Sequence, residues 1–190
     1  MQVELYFDFG SPYAYLAVAR AEKVLGGPPV LRPVLLGAIF NARGYGSWSL
    51  TPQRDLRVAE IESRARNYGL PPLRWPPGWP PDGLVAMRAA AWAQEQGALD
   101  AFARAVFVHE FAQGEDISQR GKLIAIADEV GLPAGELDTA LDSQALKDRL
   151  RSLTDEAWER GVRGVPTIAV GSTLIYGDDQ LEQAPLLLGR

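Results

Sequence analysis

The chain has 190 residues, is 47% hydrophobic and 23% charged, and carries a formal net charge of -5. That length suits one domain, or one domain with a large insertion, and mild acidity without a basic stripe argues against nucleic acid or an anionic membrane as a partner. There is no cysteine, so a disulfide, a thiolate metal site or a cysteine nucleophile cannot come from the protein, and any sulfur chemistry needs its sulfur from a ligand.

The first residues, Met1 to Asp8, show no basic segment followed by an apolar stretch. No secretory signal is read there, no apolar run is long enough to span a bilayer, and the expected location is cytoplasmic. Val3 to Phe9, rich in aromatic and branched residues, reads as a first strand, broken by Gly10. Ser11-Pro12 opens a helix, because serine is a favoured N-cap and proline is tolerated at the first helical position. That helix runs to about Leu25, and Gly26-Gly27-Pro28-Pro29 turns the chain. Val30 to Leu36 reads as a second strand that Pro33 pushes toward an edge or a bulge. Strand, helix and strand in so short a space predict a parallel βαβ pair.

Asn41 to Ser49 reads as a loop, Thr51-Pro52 starts a second helix toward Tyr68, and Leu70 to Gly83 is a proline-rich loop holding Trp75 and Trp79. Helical stripes follow: Leu99, Phe102, Ala103, Val106 and Phe107; then Leu123, Ile126, Ala127 and Val130, with Gly131 ending the helix. Leu137, Ala140 and Leu141 form a third stripe, and Leu146, Leu150 and Leu153 a fourth that continues through Trp158. Thr167 to Val170 and Thr173 to Tyr176 flank Gly171-Ser172 as a hairpin with a two-residue turn. A last helix starts at Asp179 and is kinked or stopped near Pro185. Strands at both ends with helices between predict one sheet built from the two ends, carrying the middle as an insertion.

Several strings sharpen this order. Phe7-Asp8-Phe9-Gly10-Ser11-Pro12-Tyr13-Ala14-Tyr15-Leu16-Ala17 resembles the amino-terminal motif of 2-hydroxychromene-2-carboxylate isomerases and kappa-class glutathione transferases. Arg32 to Phe40, Ala105 to Ser118, Gly161 to Thr167 and Tyr176-Gly177-Asp178-Asp179 resemble further segments of that family, in the same order and over essentially the whole chain. The related DsbA-like oxidoreductases carry Cys-x-x-Cys where this chain has Ser11-Pro12-Tyr13-Ala14. The resemblance implies an α/β, thioredoxin-like fold with a large helical insertion: residues 1–42 and 155–190 as the thioredoxin-like part, 43–154 as the insertion.

It also implies reduced glutathione as cofactor, no metal, a small aromatic substrate and a homodimer. Ser11 would stabilise the glutathione thiolate at the helix tip, where unpaired N–H groups and the helix dipole favour an anion. Read on its own, the same serine is a helix cap. Val165-Pro166 would be cis and leave Val165 free to pair, strand-like, with the cysteinyl backbone; an ordinary strand-entry proline is the plain alternative. Tyr176, Gly177, Asp178 and Asp179 would meet the γ-glutamyl end, although both aspartates also suit helix capping. Tyr13, Arg43, Tyr45 and Arg54 are expected on the substrate side, the arginines pairing with a carboxylate or else standing solvated in a loop. Trp48, Trp75 and Trp79 either roof an aromatic substrate or pack the helices onto the sheet. His109, whose acidic neighbour Glu110 points elsewhere on a helix, reads as a satisfied or exposed helical histidine. A kappa-like transferase needs the same activated thiolate, and an inert thioredoxin-like binding module would keep the fold without it.

Overall fold

The structure is a computed structural model and describes residues 2–189. Strand β1 (Val3–Phe7) leads through a tight turn into α1 (Pro12–Leu25), then β2 (Val30–Pro33), which pairs parallel with β1 from Glu4↔Val30 to Phe7↔Pro33. Strand β3 (Thr167–Val170) lies antiparallel on the other side of β1, and β4 (Thr173–Tyr176) closes the hairpin, so the sheet order is β2-β1-β3-β4. The two ends of the chain thus share one sheet, as the sequence predicts.

Period-two alternation sends β1 side chains to opposite faces. Val3, Leu5 and Phe7 enter the main core, while Tyr6 packs behind the sheet with Val34, Ile39, Ala157 and Ala169. The main core is aromatic near the helix tip: the Phe9 ring lies 5.2 Å from Phe7 and 5.1 Å from Phe107. α1 forms where predicted. Ser11 is extended (φ -104°, ψ 108°) and its hydroxyl caps Ala14, Pro12 takes the first position, and Gly26 ends the helix at φ 73°. That left-handed turn is cheap only for a residue without a Cβ.

Between the ends lie α2 (Leu36–Arg43), α3 (Arg54–Asn67), α4 (Leu84–Glu95), α5 (Leu99–Phe107), α6 (Arg120–Glu129), α7 (Ala134–Ala140) and α8 (Gln144–Glu159), with α9 (Gln183–Leu187) after the hairpin. The predicted stripes of α5 to α8 are buried, apart from half-buried Val130, Ala140 and Trp158. α1 packs on α3, α5 and α9, and α8 packs on α2, α4 and β2.

Four boundaries differ from the sequence reading. The first strand stops at Phe7, because the Asp8 carboxylate turns back to accept the Gly10 N–H and takes Phe9 out of the ladder. The second strand stops at Pro33, and the stretch expected as strand end and loop is α2, whose opening N–H groups are held from a distance: Leu35 by Thr154 Oγ1 at 3.0 Å and Leu36 by Asp8 Oδ2 at 2.8 Å. Thr51 makes a local turn, its hydroxyl accepting from Gln53, so α3 begins at Arg54. At the carboxy end, a single 3₁₀ turn spans Asp178–Gln180, and Pro185 sits inside the first turn of α9, where a missing N–H costs nothing.

Candidate functional site

β1 delivers the chain to the tip of α1 at the C-terminal end of the parallel pair, and the cis Val165–Pro166 bond brings the start of β3 beside it. Between them opens a cleft of about 540 Å³, lined by Ser11, Tyr13, Trp48, Arg57, Val165 and Tyr176 among others. That volume suits a tripeptide or a small aromatic acid.

The tip of α1 offers few free donors. The Ser11 N–H is held by the Asp8 carbonyl, Pro12 has none, and the Ala14 N–H is held by the Ser11 hydroxyl at 3.2 Å. The Tyr13 N–H has no partner among the described residues. Because the Ser11 oxygen already accepts from Ala14, its own proton is the one it can give to a ligand. Capping and ligand contact are therefore compatible in one side chain. On the facing wall, Val165 contributes an N–H and a C=O with no hydrogen bond among the described residues, whereas the Pro166 carbonyl accepts from Gly177 at 3.0 Å. Gly177 has φ 108°, and a Cβ there would lie 2.6 Å from Asp179 Oδ1, so this turn requires glycine.

The walls are aromatic. Tyr13 and Trp48 meet edge-on at 6.0 Å, and Trp48 lies 5.5 Å from Trp79. Trp48 and Trp79 line the cleft; Trp75 stands behind, 4.7 Å from Trp79, with its Nε1–H on Glu62 at 2.9 Å. The tryptophans thus divide between lining and packing.

The charged residues are placed differently from the sequence reading. Arg43 donates to the Arg163 carbonyl at 2.8 Å and covers the Tyr45 ring, and Arg54 rests on Trp79; neither lines the cleft, although Tyr45 does. The single charged side chain among the lining residues is Arg57, which stands beside the Tyr13 hydroxyl and 3.6 Å from Glu60. Burial holds the Tyr13 phenol above its ordinary range, against the opposing effect of Arg57, so it stays protonated. Sequence reading missed Arg57. Its signal is phase: Arg57, Ile61 and Arg64 recur at helical spacing on the face that buries Ile61.

Asp178 is buried and occupied, accepting from Arg64 at 2.8 Å and from the Tyr68 hydroxyl at 3.0 Å. Burial raises its carboxyl above the usual range, and Arg64 pulls the other way. Asp179 is exposed, 3.5 Å from Arg64. Neither carboxylate lines the cleft; both lie on the loop that follows Tyr176 at its rim.

Two further acids lie behind the tip, and sequence reading gave neither a role. Asp8 is buried and pushed up to about 6 by desolvation, against two amide hydrogen bonds. Glu110 is fully buried in a π-helical turn (Val108–Ala112) that continues α5, and both its oxygens lack a hydrogen-bond partner among the described residues. Burial, then the neighbouring charges of Asp8 and Asp116, push its carboxyl well up. His109, one residue earlier, is satisfied by Glu115 at 2.7 Å and Glu129 at 2.9 Å.

Comparison with known proteins agrees with this fold. A family model for the DSBA-like thioredoxin domain matches residues 2–188. The chain is 28% identical over 186 residues to a 2-hydroxychromene-2-carboxylate isomerase of Sphingobium xenophagum, covering 95% of this chain and 94% of that one. It is 27% identical over 204 residues to glutathione S-transferase kappa 1 of Homo sapiens, covering 98% and 90%. A solved 2-hydroxychromene-2-carboxylate isomerase structure superposes with a TM-score of 0.88 at 25% identity, covering 100% of this chain and 95% of that one.

Proposed function

Because the chain belongs to the DSBA-like thioredoxin family yet has no cysteine, we propose that it is a glutathione-dependent isomerase, interconverting 2-hydroxychromene-2-carboxylate and trans-o-hydroxybenzylidenepyruvate or a closely related aromatic acid. One observation carries this reading: a helix tip whose serine still has a proton to give faces a backbone segment whose N–H and C=O have no partner among the described residues, across a tripeptide-sized cleft.

Those groups fit glutathione. Val165 would pair with the cysteinyl backbone in the manner of an added strand. The Ser11 O–H and the Tyr13 N–H would donate to the sulfur and, with the helix dipole, favour its anionic form. The γ-glutamyl end would lie along Tyr176, Gly177 and Asp179, where Asp179 is the exposed carboxylate for an ammonium; Asp178 would act from beneath by holding Arg64. Arg57 would take the carboxylate of the aromatic substrate, whose ring would rest among Tyr13, Tyr45, Trp48 and Trp79. Glutathione so held by Ser11, Tyr13 and Val165 would supply the sulfur nucleophile the chain lacks, for reversible addition at an unsaturated carbon of the substrate.

Following the chromene-to-benzylidenepyruvate absorbance change with and without reduced glutathione tests this. The proposal predicts conversion that requires glutathione and does not consume it. Glutathione consumed stoichiometrically into a conjugate would favour a kappa-like transferase. No conversion and no glutathione binding would leave a thioredoxin-like binding module.

A further inference from the structure

Phe7-Asp8-Phe9 belongs to the motif that leads into Ser11, yet the proposed chemistry gives its one charged residue nothing to do. Asp8 is 6% exposed, takes part in no ion pair among the described residues, and is capped closely: Gly10 and Gly83 are so near that an added Cβ would lie 3.4 Å and 3.7 Å from its Oδ1. Its two oxygens do different work. Oδ1 accepts the N–H of Gly10 at 2.8 Å, fixing the turn between β1 and α1. Oδ2 accepts the N–H of Leu36 at 2.8 Å, the first residue of α2. α2 has no side-chain cap of its own, so Asp8 supplies from another element the anion that a helix start favours. Gly10 and Ser11 form one wall of the cleft; Leu36 and Phe40 of α2 form another.

We propose that Asp8 is a positioning residue of the cleft: one buried carboxylate holds the Gly10–Ser11 turn and the start of α2 in a common frame by accepting an N–H from each. The inference rests on this cleft being the reactive site. Both bonds need the anion. A carboxylic acid keeps one good acceptor and turns its other oxygen into a hydroxyl facing an N–H donor, so protonation releases one of the two walls. Desolvation has already brought Asp8 to about 6, which puts that release within reach of mild acid. The titratable groups facing it are Glu110 from the π-helical turn and Asp82, which shares the groove beside α2; no cation faces it among the described residues.

The stability linkage runs the opposite way to the positioning effect. A carboxyl whose folded pKa is raised binds its proton more tightly in the folded state, so its contribution to stability rises as pH falls from about 6 toward 3.8. Positioning is lost while stability is gained, a divergence that a purely structural acid would not produce.

The test is an amide NMR titration of the glutathione-free protein between pH 4.5 and 8, alongside turnover. The Gly10 and Leu36 amides should shift together with one midpoint near 6, and Asp8→Asn should abolish both shifts. The variant, whose amide can accept from only one of the two donors, should lose at least tenfold in kcat with little change in the KM for glutathione. A flat response at either amide, separate midpoints, or full kcat in Asp8→Asn would overturn the proposal. If the variant does not fold, the wild-type titration alone decides. Because that titration contains no glutathione, its failure is distinct from failure of the isomerase reading.

Discussion

The two acids behind Ser11 are unlike in what the fold asks of them. Asp8 has two amide donors and a task for its charge, whereas Glu110 has no hydrogen-bond partner among the described residues and sits in the carboxylate fields of Asp8 and Asp116. An ionised carboxylate so placed is expensive, so Glu110 keeps its proton far above the usual range. Its folded pKa exceeds the unfolded value, so its contribution to stability is complete below about 4.5 and is lost as pH rises toward the folded pKa. Glu110→Gln, which keeps the shape and cannot ionise, should match the parent in melting temperature near pH 4.5 and exceed it by several degrees at pH 8. Thermal unfolding by circular dichroism across that range checks this, and parallel curves would show that folding leaves the Glu110 carboxyl unshifted.

At the scale of elements, what the sequence made legible was whatever its local pattern controls. The cap and proline of α1 directly precede its helix and the terminal glycine directly follows it, and the two strands and the turn of the last hairpin are likewise continuous in sequence. α2 was not legible: only Ile39 is fully buried in its eight residues, so no stripe shows, and its opening amides are held by Asp8 and Thr154 from remote parts of the chain. The same division applies to the site. Ser11, Tyr13, Tyr45, Val165 and Tyr176 were named from motifs and line the cleft, but which of Arg54 and Arg57 faces inward depends on how α3 is rotated, which only the phase of Arg57, Ile61 and Arg64 records, and Arg43 ends α2, which shows no stripe. If Arg57 takes the substrate carboxylate, Arg57→Ala should raise the KM for substrate about 10- to 100-fold, the size of a lost charged hydrogen bond. The KM for glutathione should barely move, and Arg54→Ala should be near neutral. Steady-state kinetics with each ligand varied in turn decide this; equal effects from Arg54→Ala and Arg57→Ala would remove α3's inward face from recognition.

On the scale of the whole molecule, the sheet joins the two ends of the chain so that a helix tip and a strand entry separated by some 150 residues of sequence meet across one cleft. Among the described residues no helix is long and apolar enough to cross a membrane. The tip of α1 presents a serine, and the chain has no cysteine of its own. If this corner holds a borrowed thiol as its anion, thiolate absorbance near 240 nm, followed against pH with glutathione bound, reads that state out. A free thiol titrates at about 8.5. The bound thiol should titrate at least one unit lower, and Ser11→Ala should return most of that shift while costing about 1 kcal/mol of stability through the lost cap. A bound thiol that titrates where the free one does, or a shift untouched by Ser11→Ala, would mean that the Ser11 corner does not activate the thiol.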